Sequence, residues 1–372
     1  MVPSVSTQSR RRIVASRNPN ILISIVTLAD IRAAAARIAP ASVRTPLVRL
    51  DPEKLRAFGI THELPAIYLK DESAQPIRSF KLRGAYNKIA QLTPDQLAKG
   101  VITYSSGNHA QGVAFAARAL GGKAVIVMPA NSPPIKIKAT EALGAEIVFV
   151  GPASTERKQR AEALAAAHGY TIVPPYDAPA IIAGQATCGL EIIQQLPDVD
   201  LVLSPVSGGG LLSGVATAVK LISADRVAHP SRPHRDGWGG TKVWGCEPAI
   251  APDAKQSFDT RILTELPAAL TTRTICDGLR TQSLGELNFQ HILKYVNGII
   301  SVPESEIRLA TRIIFSCTDI VAEPSGAITL AAALFHRAEL PAAKTIVAIV
   351  SGGNLAPALR TELESETLAT PA

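Results

Sequence analysis

Short runs of Val, Ile and Leu recur along the chain, separated by Ala-rich segments of helical length. This alternation limits the fold more than any other feature. AIYLK (66–70), VITY (101–104), AVIVM (124–128), EIVFV (146–150), TIVPP (171–175), LVLS (201–204), VWGC (243–246) and IVAIV (346–350) read as strands. Segments 109–121, 134–143, 155–168, 183–195, 211–222 and 324–338 read as the helices between them. The runs are continuously apolar, which predicts strands buried on both faces. Strand and helix in repeated alternation predict parallel sheets covered by helices, the α/β class. A chain of 372 residues exceeds one core and predicts two lobes. The alternations within 96–171 predict a small domain, and 21–95 with 172–372 predict a larger one. Parallel strands deliver their C-terminal ends to a cleft between such lobes, where a ligand would sit.

Charge narrows the partners. Residues 1–20 hold Arg10, Arg11, Arg12 and Arg17 and no acid, more than half of the net charge of +7. This stretch reads as a disordered basic extension. The remainder shows no basic stripe with interleaved aromatics, so nucleic acid is not an expected partner. ILISIVTL (21–28) follows the basic stretch but is short, lacks a small-residue cleavage site and runs into the helical ADIRAAAARI (29–38). No apolar run is long enough to span a membrane. Cys188, Cys246, Cys276 and Cys317 form no C-x-x-C pair, which fits a reducing, cytoplasmic setting. No histidines stand at H-x-x-x-H spacing, so none is assigned a metal. The Pro-, Gly-, Arg- and His-rich stretch 223–242 reads as a surface loop.

Four segments carry chemical potential. SFKLRGAYNK (79–88) places Lys81 between Phe80 and Leu82 at a helix start. A solvated lysine has no need of such flanks, whereas a desolvated, nucleophilic amine does; a helix-start lysine with a packed stem is the alternative. LVLSPVSGGGLLSG (201–214) ends a strand at Ser207, Gly208, Gly209 and Gly210 and opens a helix. Consecutive glycines let backbone N–H groups converge on one phosphate at a helix N-terminus. Neither a Walker loop nor G-x-G-x-x-G in register is present, which disfavours a dinucleotide-binding oxidoreductase. TYSSGNHAQG (103–112) brings hydroxyls, an amide and free helix N–H groups together, as suits a carboxylate or a simple helix cap. IVAIVSGGNLAP (346–357) ends another buried strand in a hydroxyl.

In this order the four segments resemble the fold type II pyridoxal-phosphate enzymes, the serine/threonine dehydratase and serine racemase group, from about Leu28 to Leu355. The resemblance implies a two-lobed fold in which Lys81 holds pyridoxal 5'-phosphate as a Schiff base. Phe80 and Gly278 would cover the two faces of the ring. Asn108 would meet its 3-oxygen, and Ser351 its pyridine nitrogen. Ser207, Gly208, Gly209, Gly210 and Leu211 would hold the phosphate, with Ser207 standing where many members have glycine. Ser105, Ser106 and His109 lie on the loop that receives the substrate carboxylate, and Arg157 matches an arginine near the substrate entrance. In GCEPAIAPDAKQSF (245–258), Glu247, the Ala251 carbonyl and Asp253 match a site for a hard divalent cation, Mg²⁺, Mn²⁺ or Ca²⁺.

The implied activity is dehydration and deamination of L-threonine or L-serine to a 2-oxo acid and ammonia, with Lys81 as the base at Cα. A neutral hydroxyl at Ser351 implies a weak electron sink, which favours prompt elimination. Ser106 resembles the serine of racemases and hydroxyaspartate dehydratases, where it serves the face opposite the lysine. Serine racemase and 3-hydroxyaspartate ammonia-lyase are therefore the alternatives, and a non-catalytic amino-acid-binding protein is the rival from another class. The family also implies a homodimer.

Overall fold

Ten strands form two sheets in the computed structural model, which describes residues 25–105, 107–130, 132, 134–151, 154–228 and 240–366. The expected extension 1–20 and residues 229–239 of the expected loop lie outside the described residues. The strands are β1 (Leu47–Arg49), β2 (Ala66–Asp71), β3 (Val101–Tyr104), β4 (Ala124–Pro129), β5 (Glu146–Val150), β6 (Thr171–Ile172), β7 (Leu201–Pro205), β8 (Lys242–Pro248), β9 (Gly298–Val302) and β10 (Thr345–Val350). The larger sheet runs β1-β2-β10-β7-β8-β9 and the smaller β5-β4-β3-β6. All pairings are parallel except β1 with β2, where Leu47 faces Lys70 and Arg49 faces Tyr68.

β10 explains why continuously apolar runs mark the central strands. Ile346, Ala348 and Val350 join a core formed with Ile307, Ile314, Ile328 and Leu334 on one face of the sheet. Val347 and Ile349 join another on the opposite face, with Ile192, Leu212, Val215 and Ile292. Each fully buried Val, Leu or Ile contributes roughly 1.5–3 kcal/mol, so both faces must be apolar for such a strand to be held centrally.

Three segments depart from expectation. EIVFV is an edge strand, and Glu146 and Phe149 are exposed rather than buried. TIVPP pairs only over Thr171–Ile172, because Pro174 and Pro175 have no N–H to offer a ladder. The stretch read as a loop from 223 continues the helix Gly210–Ala228 to its last residue.

Close helix crossings position the cleft. The helix Lys81–Ile89 packs against the helix Pro179–Gln195 at Gly84 and Gly184. A Cβ on Gly184 would stand 2.6 Å from the Gly84 Cα and from the Arg83 carbonyl oxygen, so only glycine permits this approach. Beside the crossing lies a buried ion cluster. Arg83 Nε and Nη2 donate to the two carboxylate oxygens of Glu72 at 2.7 and 2.8 Å, and Nη1 donates to Glu191 at 2.7 Å. Lys70 Nζ donates to Glu191 at 2.7 Å. Arg83, Lys70 and Glu72 are wholly buried, so this cluster ties β2 and two helices together two residues from Lys81.

Candidate active site

The loops that follow β2, β3, β7 and β10 meet at the C-terminal ends of the strands. Phe80 N–H donates to the Ser351 carbonyl at 3.1 Å, Gly353 N–H donates to the Arg78 carbonyl at 2.9 Å, and Ser79 bridges Gly352. The lysine-bearing loop and the Ser-Gly-Gly-Asn loop are thus stitched together through their backbones. Arg78 takes φ 57° to make the turn.

Lys81 opens its helix, and its Nζ donates to the Pro175 carbonyl at 2.8 Å. The ammonium lies 5.2 Å from the centre of the Phe80 ring. Burial with no carboxylate partner lowers its pKa to about 8. A substantial neutral fraction at physiological pH is what an amine needs to attack an aldehyde.

The glycine run forms a cup. Gly209 adopts φ +93°, and a Cβ there would fall 2.9 Å from the Asn288 Cβ. A Cβ on Gly208 would strike the Tyr176 ring at 2.5 Å. The Ser207 hydroxyl lies 2.8 Å from Thr281 Oγ1, and the Gly208 carbonyl accepts from Gly285 N–H at 3.0 Å. Among the described residues the Gly208 and Gly209 N–H groups have no hydrogen-bond acceptor. Free donors at the start of the helix Gly210–Ala228, which Leu211 continues, fit a phosphate.

Opposite the cup, Asn108 Nδ2 donates to Glu323 at 2.7 Å, and its Oδ1 accepts from Asn354 Nδ2 at 2.7 Å. Burial first, then the nearby Asp277 carboxylate, push Glu323 up to about 7. Gly278 N–H donates to Ser325 Oγ at 2.9 Å, and a Cβ on Gly278 would lie 3.9 Å from Glu323 Oε1. The buried Ser351 hydroxyl donates to the Ser325 carbonyl at 3.4 Å. Phe80, Lys81, Asn108, Gly278 and Ser351 therefore belong to one neighbourhood, although they are spread over most of the chain.

Other expected residues fall differently. Ser105 Oγ accepts from Gly107 N–H at 3.3 Å within its loop. Ser106 lies outside the described residues. His109 is enclosed in the first turn of the helix Asn108–Ala119, and its Nε2 lies 3.0 Å from the Val173 carbonyl. Burial and the adjacent Lys81 depress its pKa to about 3, so the enclosed ring is neutral. A cleft of about 400 Å³ opens between Tyr104, Pro175, Tyr176, Leu263 and Gly285, and the cation bordering it is Lys158 rather than Arg157. Arg157 lies on the same helix, Ser154–His168, where burial lowers its pKa.

Glu247 is the last residue but one of β8 and accepts from the N–H groups of Ala254 and Lys255 at 3.0 and 2.7 Å. Asp253 Oδ2 is buried with no hydrogen-bond partner. Desolvation and the neighbouring Asp253 raise the Glu247 pKa, and desolvation raises Asp253 to about 8. Ala251 is buried in the turn that begins at Pro248. Among the described residues no group of three or more His, Cys, Asp or Glu could hold a metal. An orphaned carboxylate oxygen facing a second buried carboxylate nevertheless fits a hard cation completed by a carbonyl and water.

Sequence reasoning missed Glu323, Asn354 and Tyr176. Glu323 stands directly before a proline-led helix in VAEPSG, the one local hint that its carboxyl faces inward. Asn354 lies within the Ser-Gly-Gly-Asn motif, yet the motif alone gives it no role.

A poised amine beside a set of uncommitted backbone donors, on covered parallel sheets, defines an enzyme class that anchors a phosphorylated aldehyde. The chain matches the family described as pyridoxal-phosphate dependent enzyme over residues 38–352, and it belongs to that family. It is 35% identical to L-threo-3-hydroxyaspartate ammonia-lyase of Saccharomyces cerevisiae, over 89% of this chain and 94% of that protein. The structure of a T.th. threonine deaminase matches with TM-score 0.78 and 41% identity, covering 89% of this chain and 99% of that one. Maize serine racemase matches with TM-score 0.80 and 34% identity, covering 91% and 97%.

Proposed function

We propose that this enzyme eliminates water from a β-hydroxy amino acid, L-threonine or L-serine, and releases an enamine whose imine tautomer takes water back on hydrolysis, giving a 2-oxo acid and ammonia. The observation that carries the reading is the Lys81 amine, desolvated to a pKa of about 8 and set among the Asn108, Ser351 and triple-glycine loops. Bound pyridoxal phosphate would supply a sink for the electron pair left at Cα when its proton departs. Lys81 would anchor it and then take the Cα proton, for which a lowered pKa is required. Ser207, Gly208, Gly209, Gly210 and Leu211 would hold the phosphate, Phe80 and Gly278 would flank the ring, Asn108 would donate to its 3-oxygen, and Ser351 would offer the pyridine nitrogen a neutral hydroxyl. The substrate carboxylate would meet the loop Ser105–Asn108.

The described residues contain no helix long and apolar enough to cross a membrane. Four buried, unpaired cysteines support a cytoplasmic setting, and the family resemblance supports a homodimer. We read 96–171 as a small domain closing on 21–95 and 172–372, a division supported by the separate four-stranded sheet. Glu247, Asp253 and the Ala251 carbonyl would bind Mg²⁺, Mn²⁺ or Ca²⁺ as a structural or activating ion.

The experiment is a panel of L-threonine, L-serine, D-serine and threo- and erythro-3-hydroxyaspartate, following 2-oxo acid and enantiomer together. Strong turnover of L-threonine or L-serine is expected. The yeast relative and the serine at position 106 give 3-hydroxyaspartate and D-serine their place. D-serine formed without matching pyruvate contradicts the dehydratase reading and supports racemisation.

A further inference from the structure

A planar side-chain amide presents a donor at one end and an acceptor at the other, and shape alone does not say which end is which. Three neighbours decide this for Asn108. The Ile77 backbone carbonyl can only accept, so Asn354 must turn its Nδ2 toward it, and the two lie 3.1 Å apart. That same Nδ2 lies 2.7 Å from Asn108, which requires Asn108 to answer with its Oδ1. Both Asn354 amide hydrogens are then used. The Asn108 Nδ2 faces Glu323 Oε1 at 2.7 Å. Above its pKa of about 7 Glu323 is an ionised carboxylate that accepts only, and it takes one of the two Nδ2 hydrogens. One N–H remains uncommitted.

The flipped amide would set donor against donor at Asn354 and oxygen against oxygen at Glu323. Each buried group left unsatisfied costs about 1–3 kcal/mol. The carboxylate is 4% exposed, so water does not relieve it. Its other neighbours are the Asn354 backbone N–H, which donates to it, and two charged groups: Asp277 opposes its ionisation, while Lys136, which is paired with Asp277, favours it.

We infer that Glu323 and Asn354 are positioning residues that lock the Asn108 side-chain amide in the one orientation that leaves an N–H for an oxygen acceptor of the bound cofactor. The inference rests on the pyridoxal-phosphate reading, in which that acceptor is the 3-oxygen. Glu323 touches neither substrate nor cofactor in this account; it acts through Asn108.

The test compares holoprotein carrying Glu323→Ala, Glu323→Gln and Asn354→Asp with the unaltered protein. The readouts are the visible absorption band and the cofactor dissociation constant, with thermal unfolding of each apoprotein as a folding control. Glu323→Ala removes the acceptor and should weaken cofactor binding by about tenfold or more, the loss expected for one buried charge-assisted hydrogen bond, and shift the band. Glu323→Gln keeps a carbonyl oxygen in place and should restore both. Asn354→Asp presents an acceptor to Asn108 Oδ1 and should impair both, even if Glu323→Ala folds poorly. Equal impairment in the Ala and Gln variants, or none in any variant, overturns the lock while leaving the pyridoxal-phosphate reading intact. Failure of the unaltered protein to take up pyridoxal phosphate overturns both.

Discussion

Lys81 Nζ donates to the Pro175 carbonyl at 2.8 Å, which ties the anchoring amine to the segment that leaves the smaller sheet. This bond leaves the lone positive charge without a carboxylate, and burial lowers the Lys81 pKa from 10.5 to about 8. In the folded protein the proton departs near pH 8, while the unfolded chain keeps it to about 10.5. The burial penalty therefore weighs fully on the apoprotein below pH 8 and is relieved as pH rises toward 10.5. Only the neutral amine attacks an aldehyde. The rate of covalent uptake of pyridoxal phosphate by apoprotein should thus climb with pH and level off above about 8. Stopped-flow absorbance checks this; a rate still rising tenfold per unit at pH 9.5 would contradict the assigned environment.

The glycine cup makes a second prediction. Gly209 combines φ +93° with a would-be Cβ 2.9 Å from Asn288, so Gly209→Ala should distort the loop at a cost of about 1–3 kcal/mol. If the loop serves the phosphate, affinity for pyridoxal phosphate should fall far more than affinity for pyridoxal, which lacks that group. Titrating both aldehydes against the same variant separates loss of the cup from general damage.

The buried ion cluster makes a third. Arg83→Met leaves Glu72 and part of Glu191 without a counter-charge in a dry interior, which should cost about 3–5 kcal/mol. Adding Glu72→Gln should recover part of it, because one orphaned charge is then gone. Urea unfolding of the single and double variants measures the difference. A loss below about 1 kcal/mol, the value of a surface pair, would mean that the cluster is solvated.

Much of this was legible because it is local. A central strand such as β10 must be apolar on both faces, and that shows as a continuous run. Lys81 between Phe80 and Leu82, the triple glycine and the two polar loop tips each declare themselves within a dozen residues. What escaped depends on distant neighbours. EIVFV looks like a central strand, and Phe149 is exposed because β5 lies at the sheet edge, with no strand beyond it among the described residues. The three-residue β1 is too short to show a pattern and exists because β2 offers it an edge. Glu323 reaches Asn108 across 215 positions, and Glu191 reaches Arg83 across 108. No local motif encodes such pairs. His109 sits in a motif that suggests substrate, but its side chain is turned to a buried carbonyl, a matter of helix rotation that sequence does not display.

The orphaned Asp253 oxygen makes a fourth prediction. A divalent cation that binds only the folded chain stabilises it by about 2.7 kcal/mol at a hundred times its dissociation constant. Mg²⁺, Mn²⁺ or Ca²⁺ should therefore raise the melting temperature, and Asp253→Asn should remove most of the increment. Thermal unfolding with added cation and with chelator tests this; identical melting curves would leave Glu247 and Asp253 as a buried pair without an ion.

The central claim is that one particular amine carries the cofactor. The direct measurement is borohydride reduction of the holoprotein followed by peptide mapping. The reduced pyridoxyl group is expected on Lys81, within the peptide that begins after Arg78, and to be absent from Lys81→Ala. A label on any other lysine, or a protein that yields none, would contradict the account.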